Sequence, residues 1–352
     1  MKKLQTKPVK PTAIDLFSGC GGLTLGLKKA GYNVIGAIEF AHKAQQTYRM
    51  NHPDVHLYES DIRNISANDI LSDLNLSYGS LDLLAGCPPC QGFSRLRTRN
   101  GAYTADDPRN NLILQFQLFI ETLLPKSVMM ENVPALAKDQ RFKDLLQRLE
   151  CLGYKTTFTI EDAADFGVAQ RRKRLILLAS REREPKIAQK SQRRLSVRDV
   201  ISSLPEPHLS DDEVHTIPEN RSEAVKRIIS LIPKNGGSRT QLPLEYQLPC
   251  HIRSDGFKDV YGRMAWDDVS PTITSGCINP SKGRFLHPEQ NRTITLREAS
   301  LLQGFPREYR FDVKHGKEAI ALMIGNALPP PFIMAHALAL RGENELSGNA
   351  GD

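Results

Sequence analysis

Two cysteines at Cys-x-x-Cys spacing stand in the segment Gly86-Cys87-Pro88-Pro89-Cys90-Gln91-Gly92-Phe93-Ser94, directly after an apolar run at 81–85. Three chemistries fit that pattern. A dithiol pair could exchange a disulfide, but such a pair normally opens a helix, and Gln91-Gly92-Phe93-Ser94 does not continue as an amphipathic one. The thiols could form half a zinc site, but no second Cys-x-x-Cys or paired His follows at finger spacing. One thiol could instead be a nucleophile on a proline-stiffened loop, since cysteine attacks readily once deprotonated. Spacing alone leaves the three open.

Other residues could serve such a nucleophile. Glu131-Asn132 closes an apolar run at 127–130. A strand-end carboxyl can move a proton, or simply sit in water. In Gln170-Arg171-Arg172-Lys173-Arg174, Arg172 and Arg174 share a face if the segment is extended. A solvated basic run is the plain alternative. Near the start, Asp15-Leu16-Phe17-Ser18-Gly19-Cys20-Gly21-Gly22 joins an apolar run to a helical pattern. Glycines there let the backbone approach a ligand closely, or merely make a tight turn. Thr24 stands where the last glycine of a dinucleotide fingerprint belongs, and Asp15 precedes the loop. Both features suit a cationic cofactor, S-adenosylmethionine, better than a diphosphate. Glu39, at the end of the next apolar run, can accept hydrogen bonds from ribose hydroxyls. Asp61 follows another short run.

These residues need a scaffold that gathers strand ends. Strands are expected at 12–17, 32–38, near 58–61, at 81–85, 127–130 and 174–179. Helices are expected at about 22–30, from His42, and at 111–124 and 142–152. Strands alternating with helices imply a mostly parallel, doubly wound α/β sheet. From Arg181 the text changes: 181–194 is charged and linker-like, and the stretch to 291 is rich in Pro, Gly and Ser. Helical periodicity returns at 296–302 and 317–339. With 352 residues the chain suits two lobes better than one core. The expected division is 11–180 plus about 318–345 for one lobe, and about 181–317 for a smaller, loop-rich one.

The net charge of +7 suits a nucleic-acid partner without requiring one. Six scattered cysteines do not form a secreted disulfide framework, so reduced thiols are expected. The basic start lacks the apolar stretch of a signal peptide, and no apolar run of membrane length stands out. No metal ligand set is expected.

Pro-Cys-Gln-x-Phe-Ser at 89–94, following a strand, resembles the catalytic loop of the bacterial cytosine-C5 DNA methyltransferases. Further family motifs occur in order. Asp15 to Gly22 resembles the cofactor loop. Glu131-Asn132-Val133 and Gln170-x-Arg172-x-Arg174 resemble the next two motifs. Arg297-Glu298 running to Gln303-Gly304-Phe305-Pro306, and Gly325-Asn326-Ala327-Leu328-Pro329-Pro330, resemble the last two. Pro88 stands where many members have Phe, and Leu328 where Val is usual; neither change removes a reacting group.

The resemblance implies a Rossmann-like S-adenosylmethionine-dependent domain with a smaller target-recognition domain. Cys90 would be the thiolate that adds to carbon 6 of a flipped cytosine. Glu131 would serve ring N3 and the exocyclic amine, Arg174 the base O2, and Arg172 the nucleophile loop and a phosphate. Asn132 would fix the loop. Cofactor contacts are expected at Asp15, Phe17, Gly19, Gly21, Gly22, Glu39, Asp61, Ile62 and Asn326. DNA contacts are expected at Gln91, Ser94 and Thr272. Arg95, Arg97, Arg99 and Arg109 would belong to a loop closing over DNA. Arg239, Gln241, Arg253, Arg263 and Asn279 are candidates for reading bases.

The implied partner is double-stranded DNA, with a cognate restriction endonuclease or an orphan role both compatible. A monomer in the cytoplasm, associated with the nucleoid, is expected. A tRNA methyltransferase on the same scaffold would carry a Cys-Phe-Thr element that is absent here. A non-catalytic DNA-binding regulator would not need Cys90 and Glu131. The Cys90 loop leaves little room for a nicotinamide oxidoreductase.

Overall fold

The computed structural model describes residues 10–89, 112–247 and 258–343. Cys90, Gln91, Ser94, Arg95, Arg97, Arg99, Arg109 and Arg253 lie outside the described residues.

The first half of the chain builds a seven-stranded sheet: β1 (Thr12–Leu16), β2 (Asn33–Ile38), β3 (His56–Tyr58), β4 (Leu83–Gly86), β5 (Ser127–Asn132), β6 (Lys155–Asp162) and β7 (Lys173–Ser180). Their order is β3-β2-β1-β4-β5-β7-β6. Strands β1 to β5 pair in parallel, while β7 runs antiparallel to both β5 and β6. The order is doubly wound, with the topological switch between β1 and β4. β4 is buried throughout, as a central parallel strand must be.

Side-chain alternation divides the sheet into two faces. Ala13, Leu83, Ala85, Met129, Ile176 and Leu178 form one core with Leu23 and Leu27 of helix α1 (Gly22–Lys29). Ile14, Leu16, Leu84, Val128, Met130, Leu175 and Leu177 form the other. Helices α3 (Ala67–Asp73), α4 (Leu112–Leu123) and α5 (Gln140–Cys151) cover this second face. In α5, Phe142, Leu145 and Leu149 make the buried stripe, and the Asp139 side chain caps the helix by accepting from Arg141 N–H. Helix α2 (His42–Asn51) follows β2.

Beyond β7 come short helices: α6 (Val197–Ile201), α7 (Glu213–Thr216) and α8 (Glu223–Leu231), joined by long loops. Helices α9 (Leu296–Leu302), α10 (Lys317–Asn326) and α11 (Pro330–Arg341) end the fold. A third core joins Val197, Val214, Trp266, Ile273, Phe305 and Ile324 to Cys20, Ala44 and Ala169 of the sheet half. Residues 264–327 are therefore packed onto the sheet half. A small separate cluster holds Ile229, Ile232, Leu242, Tyr261 and Leu286.

Three expectations need correction. The strand at 155–162 was not foreseen; it is a half-exposed edge strand whose alternate residues are polar. The pattern at 317–339 is two helices. Pro329 excludes helical backbone at the residue before it, and Pro330 and Pro331 then start the next helix. The stretch Lys317–Arg341 is also apolar and long enough by composition to cross a membrane, although 72% of its most apolar window is buried in the fold, where α11 returns to pack on α1.

Candidate active site

The carboxyl ends of the parallel strands lie along one edge of the sheet, and the expected site residues among the described ones stand at that edge. After β1 the chain turns with Phe17 at φ 65° and Gly19 at φ 56°. A Cβ on Gly19 would meet nothing within 4 Å, so this turn borders open space. Gly21 (φ 96°) is closed in: a Cβ there would lie 2.6 Å from the His52 ring and 2.7 Å from Tyr309 Oη. Tyr309 O–H in turn donates to Cys20 O at 2.5 Å. A Cβ on Gly22 would lie 2.5 Å from Leu328 O. The closing segment at 327–329 therefore backs directly onto the glycine loop.

Glu39, just past β2, spans this loop. Its Oε2 accepts from Gly19 N–H at 2.8 Å and its Oε1 from Ala41 N–H at 2.7 Å. Burial raises its pKa, opposed by these backbone bonds. Each oxygen keeps a further lone pair for a ligand hydroxyl. Its neighbour Phe40 is 70% exposed, although an aromatic ring gains nothing from water there. Asp61 caps a turn after β3, accepting from Arg63 N–H at 2.9 Å and pairing with the Arg63 guanidinium at 2.6 Å. That hydrogen bond holds its pKa below the ordinary range. The Ile62 side chain lies in the second core, so only its backbone faces outward. Asn326 ends α10 and is exposed.

Asp15 lies wholly beneath the loop. Its Oδ2 accepts from Thr24 O–H at 2.7 Å, and Thr24 Oγ1 lies 2.8 Å from Tyr48 Oη. Oδ1 has no partner. Burial raises the Asp15 pKa to about 7, against the opposing Thr24 bonds.

On the other side of the switch, strand register assembles a second group. Gly86 pairs with Met130, so Cys87 and Glu131 are the next neighbours on adjacent parallel strands. Glu131 pairs with Ile176 of antiparallel β7, and Arg174 stands two residues along the same face. Cys87 Sγ–H donates to Glu131 Oε2 at 3.1 Å. Arg174 Nε lies 2.8 Å from Oε1 as an ion pair, but its N–H is not aimed along a hydrogen-bond direction, so Oε1 remains open to another donor. Glu131 is 1% exposed. Asn132, one residue on, donates from Nδ2 to Pro88 O at 2.9 Å and accepts Val133 N–H through Oδ1 at 2.8 Å. It holds the backbone that leads to Cys90.

Arg172 is buried, with its Nη1 and Nη2 donating to Ile273 O and Gly325 O, each at 3.1 Å. Burial, then the neighbouring Arg174, lowers its pKa to about 9. Gln170 belongs to the same joint: its Oε1 accepts Ile273 N–H at 2.8 Å, and its amide donates to Gln303 Oε1. Thr272 O–H donates to Arg171 O at 2.7 Å. Arg171 and Lys173 point away, Arg171 to an exposed pair with Asp268.

The family model described as C-5 cytosine-specific DNA methylase matches residues 12–341. The chain belongs to that family. This C-5 cytosine methylase is 35% identical to the Type II methylase M.HgiDII of Herpetosiphon aurantiacus, over 90% of this chain and 91% of that protein. It is 33% identical to the Type II methyltransferase M1.HphI of Haemophilus parahaemolyticus, over 93% and 85%. Among solved structures, the Entamoeba histolytica methyltransferase EhMeth superposes with a TM-score of 0.65 at 18% identity, covering 96% of this chain and 99% of that one. The S. pombe Dnmt2 methyltransferase gives 0.62 at 17%, covering 95% and 99%. At those identities the likeness speaks for the fold alone.

The methylase therefore gathers Glu131, Arg172 and Arg174 with Asn132 at one strand edge, and Gly19, Glu39, Phe40 and Asp61 along the rest of it. Sequence reading missed Phe40, whose only signal is its place beside Glu39. It also missed the supports His52 and Tyr309. Among the base-reading candidates, Arg263 is corrected: it is fully buried and donates to the carbonyls of Ile229, Ile232, His287 and Gln290 and to Asn291 Oδ1. Arg239 is also buried. Gln241 and Asn279 cap turns, through Ser238 N–H and Ser281 N–H respectively.

Proposed function

We propose that this enzyme methylates carbon 5 of a cytosine extruded from duplex DNA, using S-adenosylmethionine. The observation that carries the reading is Glu131: a nearly buried carboxylate with one oxygen still open to a donor, on the strand edge beside the loop that leads to Cys90. A base cannot react inside the stack, and extruding it costs a few kcal/mol, on the order of one lost stacking step.

Carbon 5 of cytosine is a weak nucleophile. The Cys90 thiolate adds to carbon 6, and the ring becomes an enamine with electron density at carbon 5. Negative charge develops at N3 as this bond forms. Glu131 in its protonated form donates to N3, and its second oxygen accepts from the exocyclic amine. Acid–base assistance of this kind contributes about 10²–10⁴-fold. Arg174, whose contact with Glu131 is electrostatic only and whose Nη1 donates to Lys173 O, keeps Nη2 to donate to the base O2. Arg172 holds strand β7 against the 272–274 segment and α10, so that the pocket wall stays in place. Once carbon 5 has taken the methyl group, its proton passes to water or hydroxide, and Cys90 leaves as the thiolate with the electron pair of its bond to carbon 6, which restores the aromatic ring.

The cofactor site fits an adenosyl group. Open space above Gly19, the Glu39 carboxylate and the exposed Phe40 ring suit a backbone approach, the ribose hydroxyls and the adenine face in turn. Asp61 and the Ile62 backbone would meet the adenine edge, with Phe17 and Asn326 alongside. Asp15, Gly21 and Gly22 support the loop from below. S-adenosylmethionine, when bound, supplies the methyl group.

Residues of about 181–317 would form the target-recognition lobe, with Thr272 near the target phosphate and Gln91 and Ser94 contributing from the catalytic loop. The names of the relatives favour a role in Type II restriction–modification, with an orphan role as the second reading; a cognate endonuclease cutting the same site, and a monomeric, cytoplasmic, nucleoid-associated enzyme, are further parts of the proposal. The test is incubation with methyl-labelled S-adenosylmethionine and mixed-sequence duplex DNA. Label is expected in 5-methylcytosine, and bisulfite sequencing of the product should return one short sequence. A folded, cofactor-binding protein that leaves cytosine unlabelled would sink the reading.

A further inference from the structure

We infer that Cys87 is a positioning residue for Glu131, which its thiol holds in the orientation that faces the base. The inference rests on the role proposed above for Glu131. Register makes the contact. Gly86 pairs with Met130, so the next residues along the two parallel strands, Cys87 and Glu131, are cross-strand neighbours with side chains on one face. That face continues the core formed by Leu83, Ala85, Met129 and Ile176, against which Cys87 packs. Sγ sits 3.1 Å from Glu131 Oε2, in line to donate.

The carboxylate needs such a tether. Asn132 Nδ2 and the Nη1 and Nη2 atoms of Arg172 donate to backbone carbonyls of Pro88, Ile273 and Gly325, and Arg172 Nε makes no hydrogen bond to Glu131. Arg174 touches Oε1 without an aligned hydrogen bond. Among the described residues, Cys87 is thus the one side chain with a directed hydrogen bond to Glu131. Without it the carboxyl could rotate about its last bond under the pull of Arg174 alone. The thiol also stays a donor: burial first, then the Glu131 charge, keeps its pKa well above the ordinary thiol range. It is therefore a poor candidate for a second nucleophile or a redox partner. Two consecutive residues after β4 are tied to two consecutive residues ending β5, Cys87 to Glu131 and Pro88 to Asn132. The loop that delivers Cys90 and the carboxyl that serves the ring are thereby fixed to each other.

Two measurements on the full-length enzyme test this. In the infrared, the S–H stretching band of Cys87, isolated by subtracting the spectrum of Cys87→Ser from that of wild type, should move to the free-thiol position when the same subtraction is made in the Glu131→Ala background. In kinetics, Cys87→Ala should lower kcat about fivefold, the scale of one weak hydrogen bond, with KM for S-adenosylmethionine unchanged, and Cys87→Ser should recover most of it. A band that ignores Glu131→Ala, or a Cys87→Ala enzyme with wild-type kcat, overturns the inference. If Cys87→Ala fails to fold, Cys87→Ser, which also lacks the thiol, still supplies the infrared reference, and the shift of the band on Glu131→Ala decides alone. The spectroscopic arm needs no turnover, so it stands even if wild type transfers no methyl group, an outcome that would instead sink the proposed activity.

Discussion

Thr24→Val removes one hydroxyl and almost nothing else, yet the structure assigns it a pH-dependent cost. Thr24 Oγ1 donates to Asp15 Oδ2 at 2.7 Å and meets Tyr48 Oη at 2.8 Å, all in the buried floor beneath the glycine loop. Asp15 Oδ1 is already without a partner, so the variant strips the carboxyl of its one side-chain bond. Asp15 titrates at about 7 in the fold, against 3.8 as the ordinary value. Because the folded pKa is raised, the stability this group contributes is full below 3.8 and is lost as pH rises through about 7. At pH ~5.5 the acid is neutral and Thr24→Val breaks two neutral bonds, about 2 kcal/mol together. At pH ~8.5 one of the two is a bond to a carboxylate, worth about 1.5–3 kcal/mol, so the total rises to about 2.5–4 kcal/mol. The difference of roughly 0.5–2 kcal/mol corresponds to about one further unit of upward shift at Asp15. Urea unfolding of wild type and Thr24→Val at both pH values measures it. Equal destabilisation at the two would refute the titration, and Asp15→Asn in the same background should abolish the pH dependence. Affinity for S-adenosylmethionine should fall with stability, since the floor carries Gly21 and Gly22.

Three further outcomes follow from the geometry. Glu131→Gln keeps the shape but not the proton, so kcat should fall by about 10²–10⁴-fold while cofactor binding, read by calorimetry, stays near wild type. Gly325→Ala would place a Cβ 2.3 Å from Ser275 N and 2.4 Å from Thr274 C, both backbone; α10 must retreat and Arg172 lose Gly325 O, costing about 1–3 kcal/mol or more in a thermal melt. His52, His287 and His336 are held neutral by burial with pKa values of about 4. A depressed folded pKa means stability is lost as pH falls from about 6.5 through 4, by as much as about 2 kcal/mol per histidine at pH ~5 and partly offset by Asp15. A melting temperature that rises on acidification from pH ~6.5 to 5 would contradict this.

Much of the crevice was legible because it depends on local rules. Gly19 and Gly21 mark a loop with positive φ, which other residues adopt at a cost. Arg172 and Arg174 share a face by the two-residue period of a strand, and both lie on the Glu131 side of the sheet. Other features depend on contacts that no local pattern encodes. The Cys87–Glu131 bond follows from the register of two strands separated by forty residues of chain. An arginine in a loop-rich region such as Arg263 is ordinarily exposed; instead it ties the carbonyls of Ile229 and Ile232 at the end of α8 to that of His287, two segments that only folding brings together. The edge strand β6 alternates Thr157, Thr159 and Glu161 with the half-exposed Phe158 and Ile160, and so lacks the continuous apolar run that marks β4. The break between α10 and α11 was written in three consecutive prolines, but the apolar period runs across them.

The central claim is that Cys90 forms the covalent bond to the base. The most direct measurement uses duplex DNA in which cytosine is replaced by 5-fluorocytosine, whose carbon 5 has no proton to lose, so that the adduct cannot resolve. With S-adenosylmethionine present, wild type should give a protein–DNA complex that survives denaturation, with the modified peptide mapping to Cys90, and Cys90→Ser should give none. A complex that persists in Cys90→Ser, or one attached at any other residue, would contradict the account.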